Sequence, residues 1–152
     1  MGAPRAGPLP PEVGSLSRLE ALHLDRNGFR GPLPEEFGYL SRLENCNLSH
    51  NLFEGALPAT CARLKALKAL FLGHNRFGGR LDCLAALCRG RGPPGDDGDD
   101  ADDGGALVEL YANDNSFDVA DLPERLAGGL NVCFVLRNAA AGVVEAKDDD
   151  DA

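Results

Sequence analysis

The apolar positions of this chain recur in one short pattern. Leu19-x-x-Leu22-x-Leu24-x-x-Asn27 returns as Leu43-x-x-Cys46-x-Leu48-x-x-Asn51 and again as Leu67-x-x-Leu70-x-Leu72-x-x-Asn75, so the three asparagines stand 24 residues apart. Leu22 and Leu24 alternate with outward positions, the period-two sign of a strand with one buried face. The rest of each unit keeps step. Phe29, Phe53 and Phe77 follow two residues after the asparagine, Gly31, Gly55 and Gly79 two further on, and then Leu33-Pro34, Leu57-Pro58 and Leu81-Asp82. A strand this short cannot bury its face alone. Stacking copies in parallel builds a continuous leucine core and pairs the strand backbones.

After Leu81 the register breaks and then returns. Leu107-x-x-Leu110-x-Ala112-x-x-Asn115-x-Phe117 repeats the motif 40 residues after Asn75, which is one period plus an insertion of 16. A weaker fifth copy reads Leu130-x-x-Cys133-x-Val135-x-x-Asn138. Upstream, Gly7-Pro8-Leu9-Pro10-x-x-Val13-Gly14-x-Leu16 is the second half of a unit without its first half.

The string Leu19-x-x-Leu22-x-Leu24-x-x-Asn27-x-Phe29-x-Gly31-x-Leu33-Pro34-x-x-Phe37-Gly38-x-Leu40 resembles the plant-type leucine-rich-repeat family, and the resemblance covers roughly residues 7–82 and 106–138. It implies an α/β fold: a leucine-rich-repeat solenoid, a right-handed coil with about five parallel concave strands and short helical or extended convex segments. It also implies that Asn27, Asn51, Asn75, Asn115 and Asn138 form a ladder of side-chain hydrogen bonds to turn backbone. Such a ladder makes physical sense, because a coil turning inward leaves peptide groups that need partners. Helical turns are expected around Glu35–Leu40 and Ala59–Leu64. The organisation that follows is a partial N-terminal repeat (1–18), repeats over 19–87, an insert (88–105), repeats over 106–138 and a C-terminal tail (139–152).

Length and charge refine this picture. The chain has 152 residues, enough for one ordinary domain. Its net charge of −9 comes from the aspartates between Asp96 and Asp103 and the run Asp148–Asp151, leaving a near-neutral body. That balance lacks the basic excess a nucleic-acid binder needs. The insert, rich in Gly, Pro and Asp, carries almost nothing to bury and is expected to be disordered. Calcium binding by its carboxylates is the functional alternative, but EF-hand spacing fails because Ala101 stands where an aspartate is required. No run approaches a membrane span, and the first residues lack the apolar stretch of a signal peptide. Both ends read as incomplete solenoid, so the chain is expected to be a monomer unless uncapped ends associate, and a fragment origin stays open.

The candidate chemistry is thin. Of five cysteines, Cys46, Cys61 and Cys133 take apolar positions of the repeat, and only Cys83 and Cys88 are spaced to pair or hold a metal. Unpaired cysteines and the missing signal peptide favour a cytoplasmic location, with an extracellular one if the chain is a receptor fragment. His50 and His74 precede the ladder asparagines as scaffold residues. No carboxylate or third histidine is placed in register beside them, so no metal site, cofactor or catalytic residue is assigned. No Ser or Cys nucleophile matches a histidine and an orienting acid.

What remains is the concave face, where His23, Asn47, Phe71, Tyr111 and Phe134 occupy one outward column. The last three should stack on strands about 4.8 Å apart, as an aromatic strip roughly 10 Å long. Rings on a rigid sheet are the usual makings of a binding hot spot. His23, Asn47, Asp25, Glu109 and Asn113 would border the strip. The alternative is that the C-terminal segment covers Phe134 and its neighbours. The function expected is non-catalytic protein or peptide binding, against two rivals: a fragment of a receptor-like kinase ectodomain, or a calcium-responsive protein working through the acidic insert.

Overall fold

In a computed structural model the chain coils into a solenoid carrying two parallel sheets. The structure describes residues 6–87 and 107–118, together with the backbone of strands at 135–138 and 141–145. In chain order the strands of the coils are β1 (Ala21–His23), β2 (Arg30–Gly31), β3 (Asn45–Asn47), β4 (Leu52–Gly55), β5 (Ala69–Phe71), β6 (Arg76–Gly79), β7 (Glu109–Tyr111) and β8 (Ser116–Phe117). The odd-numbered strands form one sheet in the order β1-β3-β5-β7, and the even-numbered strands a second in the order β2-β4-β6-β8. The first is the concave sheet, and its register stacks Leu22, Cys46, Leu70 and Leu110 in one inward row. Cys46 fills its leucine slot with no exposed surface. Burial there pushes its thiol well above the ordinary range, because the charged form would lose its hydration.

The fourth coil resumes the solenoid across the insert. Leu107 donates its N–H to the Leu87 carbonyl at 3.0 Å, so the chain re-enters beside the point where it left. The insert itself, like the expected disorder and calcium chemistry assigned to it, lies outside the described residues. The fifth copy departs from the parallel pattern. Val135–Asn138 (β9) pairs antiparallel with Ala141–Glu145 (β10), placing Asn138 opposite Ala141 and Leu136 opposite Val144. Partners so close in sequence can only run antiparallel, because a parallel pair needs a crossover of about a dozen residues or more. The described concave sheet therefore holds four of the roughly five strands expected, and the segment assigned to a tail contributes a strand.

Two side-chain ladders tie the coils. In the first, Asn51 Nδ2 donates to Leu24, Leu48 and Ser49 carbonyls at 2.8, 3.0 and 3.2 Å, while its Oδ1 accepts the N–H groups of Asn27 and Phe29. Asn75 and Asn115 repeat the arrangement one coil on. Asn27 bonds through its amide only within its own turn, to Leu24 and Asp25 carbonyls, and is exposed. In the second ladder, Phe29, Phe53, Phe77 and Phe117 stack at centroid spacings of 5.8, 5.7 and 6.0 Å. The glycine that follows two residues after the phenylalanine has φ of 80°, 77° and 74° at Gly31, Gly55 and Gly79, a backbone that other residues adopt only with strain.

The convex side is built from 3-10 turns at Pro11–Ser15, Glu35–Tyr39 and Ala59–Arg63. Pro10, Pro34 and Pro58 stand in extended backbone just before them, and each turn sends one apolar residue inward: Val13, Phe37 and Cys61. Where Leu81-Asp82 replaces Leu-Pro, the segment becomes a short α-turn, α1 (Asp82–Ala85), with Leu84 buried and Asp82 paired to Arg80 at 2.6 Å. Successive turns approach closely. A Cβ on Gly38 would overlap the carbonyl oxygen and Cβ of Thr60 on the next coil. Gly38→Ala is therefore expected to force the coils apart and cost about 1–3 kcal/mol in a urea unfolding titration. An unchanged midpoint would show that the turn gives way freely.

Candidate functional site

The four concave strands carry the expected side chains in three rows. His23, Asn47, Phe71 and Tyr111 are paired in register across β1, β3, β5 and β7. Phe71 and Tyr111 are half-buried and stack with centroids 4.9 Å apart and planes 5° from parallel. Phe134 lies outside the described residues, so two members of the strip are placed. His23 is exposed at the far end of the row, two coils from Phe71, and Asp25 is half-buried just past it. Glu109 is exposed on β7, on the side of Tyr111 away from Asn113. On that same flank Lys68 bridges to Glu44 on the preceding coil at 2.7 Å, an exposed pair worth little to stability.

The opposite flank is more organised. Asn47 Oδ1 accepts from both the Ser49 N–H at 3.1 Å and its hydroxyl at 2.6 Å. Asn113 leans over the space left by Gly73, where a Cβ would meet its side chain. The next row, Arg26, His50, His74 and Asp114, has φ values of 59°, 54°, 55° and 53°, a left-handed turn that residues other than glycine adopt sparingly. This turn sets their side chains one above another. His50 and His74 stack at 4.2 Å, His74 Nδ1 meets Asp114 Oδ2 at 2.9 Å, and Asn113 Nδ2 lies 3.2 Å from His74 Nε2.

Asp114 corrects the expectation that no carboxylate sits in register beside the histidines. The 24-residue column places it there once the insert is removed, and that column was the signal in the sequence. A histidine held by a carboxylate is half of a hydrolytic dyad, but here Nε2 meets an amide, and the Ser49 hydroxyl points to Asn47. The two rings lie face to face, so their in-plane lone pairs do not converge, and among the described residues no group of three or more His, Cys, Asp or Glu could hold a metal ion. The row is a fixed polar border to the aromatic pair. On the convex side Cys83 sits in α1, which packs against the turn that holds Cys61, while Cys88, considered its partner, lies outside the described residues.

Residues 17–77 match the family model described as Leucine rich repeat, the stretch that holds the first three ladder asparagines. That stretch is leucine-rich repeat. No curated protein sequence matches this repeat chain. Among solved structures, it is similar to the ectodomain of the receptor kinase SOBIR1 from Arabidopsis thaliana, at 26% identity and a TM-score of 0.68, covering 85% of this chain and 60% of that one. It is similar to a TDR receptor at 26% identity and a TM-score of 0.69, covering 88% of this chain and 20% of that one. It also resembles the Arabidopsis receptor kinase HAESA in complex with the peptide hormone IDA and the co-receptor SERK1, at 25% identity and a TM-score of 0.58, covering 74% and 16%. The repeat chain thus spans at most 60% of these neighbours. Among its described residues no helix is long and apolar enough to cross a membrane.

Proposed function

We propose that the chain is a non-catalytic recognition module that takes an extended protein or peptide segment along its concave sheet. The observation that carries this reading is the Phe71–Tyr111 stack on a backbone held by two ladders. Two rings fixed in parallel present apolar area with little entropy left to lose on binding. Asn47, Ser49, Asn113 and Asp114 border the rings with polar groups already tied to one another, and His23, Asp25 and Glu109 extend the polar surround. This border suits the backbone amides of a ligand whose apolar side chain sits on the rings. The HAESA complex with a peptide hormone supports a peptide as the ligand class.

A second reading, that the chain is part of a receptor-like kinase ectodomain, is favoured by the same neighbours, of which it spans a fraction. That reading supports an extracellular setting over the cytoplasmic one. The two are compatible, because both place recognition on the concave face.

The test is a displayed random-peptide library panned against immobilised protein, with wild type compared with Phe71→Ala/Tyr111→Ala at matched circular dichroism. Enriched peptides are expected to bind the double variant at least about 10-fold more weakly, the effect of removing two central aromatics. Equal affinity for both proteins would move the site off the concave strip.

A further inference from the structure

The concave face carries one short motif that peptide recognition does not absorb. Asn47-Leu48-Ser49 is an Asn-x-Ser triplet with no proline between, and the other asparagines of the chain have no Ser or Thr two residues on. Asn47 closes β3, half-buried, with His23 beside it on β1 and Phe71 beside it on β5. Its amide atoms are used unequally. Oδ1 accepts the Ser49 N–H at 3.1 Å and the Ser49 hydroxyl at 2.6 Å. Nδ2 donates to no described residue, and no buried side-chain nitrogen or oxygen among the described residues lacks a partner, so Nδ2 opens to solvent. The ladder asparagines show the contrast. Asn51 and Asn75 each commit Nδ2 to three carbonyls, where a substituent would break the coil.

We propose that Asn47 is an N-glycosylation site, whose Nδ2 carries an oligosaccharide on the concave face beside Phe71. The proposal rests on the extracellular setting argued above, because such sugars are attached to secreted chains. The co-reactant is an oligosaccharide joined through a diphosphate to a lipid. Nδ2 forms a bond to the sugar C1, and the C1–O bond to the diphosphate breaks. The lipid diphosphate leaves with the electron pair, and the amide gives one proton to a base of the transferase.

The folded coil accommodates the product. Attachment uses only an N–H of Nδ2, so Oδ1 keeps both bonds to Ser49. Cys46 and Leu48, on either side in the chain, have no exposed surface, so Asn47 points away from the core by the alternation of a strand. β3 pairs with β1 and β5 through its backbone, which the sugar leaves untouched. The first sugar would stand between His23 and Phe71 and raise the polar border on that side of the ring. Tyr111, beyond Phe71 on β7, stays clear of it, so a peptide is steered to the β5–β7 side of the strip.

The experiment translates the full chain behind a cleavable secretion leader in the presence of microsomes. Only chains protected from added protease, and so translocated, are analysed. They are treated with peptide-N-glycosidase and mapped by mass spectrometry. The expected result is a slower band that the enzyme collapses, with Asn47 converted to aspartate at the former attachment point. Ser49→Thr keeps the glycan, whereas Ser49→Ala and Asn47→Asp lose it. Asn47→Asp retains an acceptor oxygen for Ser49 and is expected to keep the wild-type circular dichroism spectrum, so its loss of glycan is separate from misfolding. Protected chains with unmodified Asn47 in both wild type and Ser49→Thr, or a glycan mapped to Asn131 instead, would overturn the proposal. Peptide panning on bacterially produced, unglycosylated protein reads recognition alone, so either idea can fail without the other.

Discussion

Phe53→Ala is expected to destabilise the protein by about 3–5 kcal/mol, against roughly 1–2 for Phe29→Ala. Phe53 has no exposed surface and is stacked on both faces, by Phe29 at 5.8 Å and Phe77 at 5.7 Å. Its removal opens a void that the solenoid cannot close cheaply, because the rings above and below are fixed by their own coils. Phe29 is only half-buried and has a described ring on one side alone, so water relieves part of its loss. Urea unfolding followed by circular dichroism gives both values, and an unchanged m-value would show that the same surface is exposed on unfolding. Equal losses for the two variants would mean that the stack acts as separate pairs rather than a continuous column.

Asn75→Ala should cost a similar amount, about 3–5 kcal/mol, through unmade hydrogen bonds rather than a void. One amide satisfies the carbonyls of Leu48, Leu72 and Gly73 at 2.9, 3.0 and 3.3 Å and the N–H of Phe53 at 3.2 Å. An alanine leaves those groups buried without partners, and each unsatisfied group costs about 1–3 kcal/mol before the coil relaxes. The control is Asn27→Ala. It removes only two bonds within an exposed turn and should cost about 1 kcal/mol or less. Because Asn75 Oδ1 holds the Phe53 N–H, the Asn75 and Phe53 losses should not add, and a double-mutant cycle should show coupling of about 0.5–3 kcal/mol. Matching losses at Asn27 and Asn75 would show that the cross-coil bonds contribute nothing beyond the local turn.

The repeat was legible because each of its parts serves the same stacking. Leu22 aligns with Cys46, Leu70 and Leu110 in space as it does in the text of the chain, so spacing alone indicates the sheet. The Phe71–Tyr111 pair follows from the same register, despite the insert between them. Columns fail where the element changes. Cys83 aligns by period with Ala59, but α1 replaces the 3-10 turn of the earlier coils there, so the column does not carry over to the convex side. They fail again at β9, where a local hairpin partner competes with a distant parallel one and the pattern of Leu130 to Asn138 is the same for either. The His74–Asp114 pair was readable in principle, since both belong to one column. The column lines up only once the insert is left out, and the contact depends on the left-handed turn that points these side chains the same way.

The bond from the Leu107 N–H to the Leu87 carbonyl makes the solenoid continuous in space at a place where the chain is not continuous in sequence. β7 adds to β5 in the same register in which β5 adds to β3, so the stacking contacts take no account of how many residues separate the two. For a flexible loop at such a junction, each doubling of length costs roughly 0.6 kcal/mol of closure entropy. Such a junction is permissive. Segments there can be lengthened, exchanged or lost between related chains while the core stays fixed, making this the position where the protein can diversify at least cost to its fold.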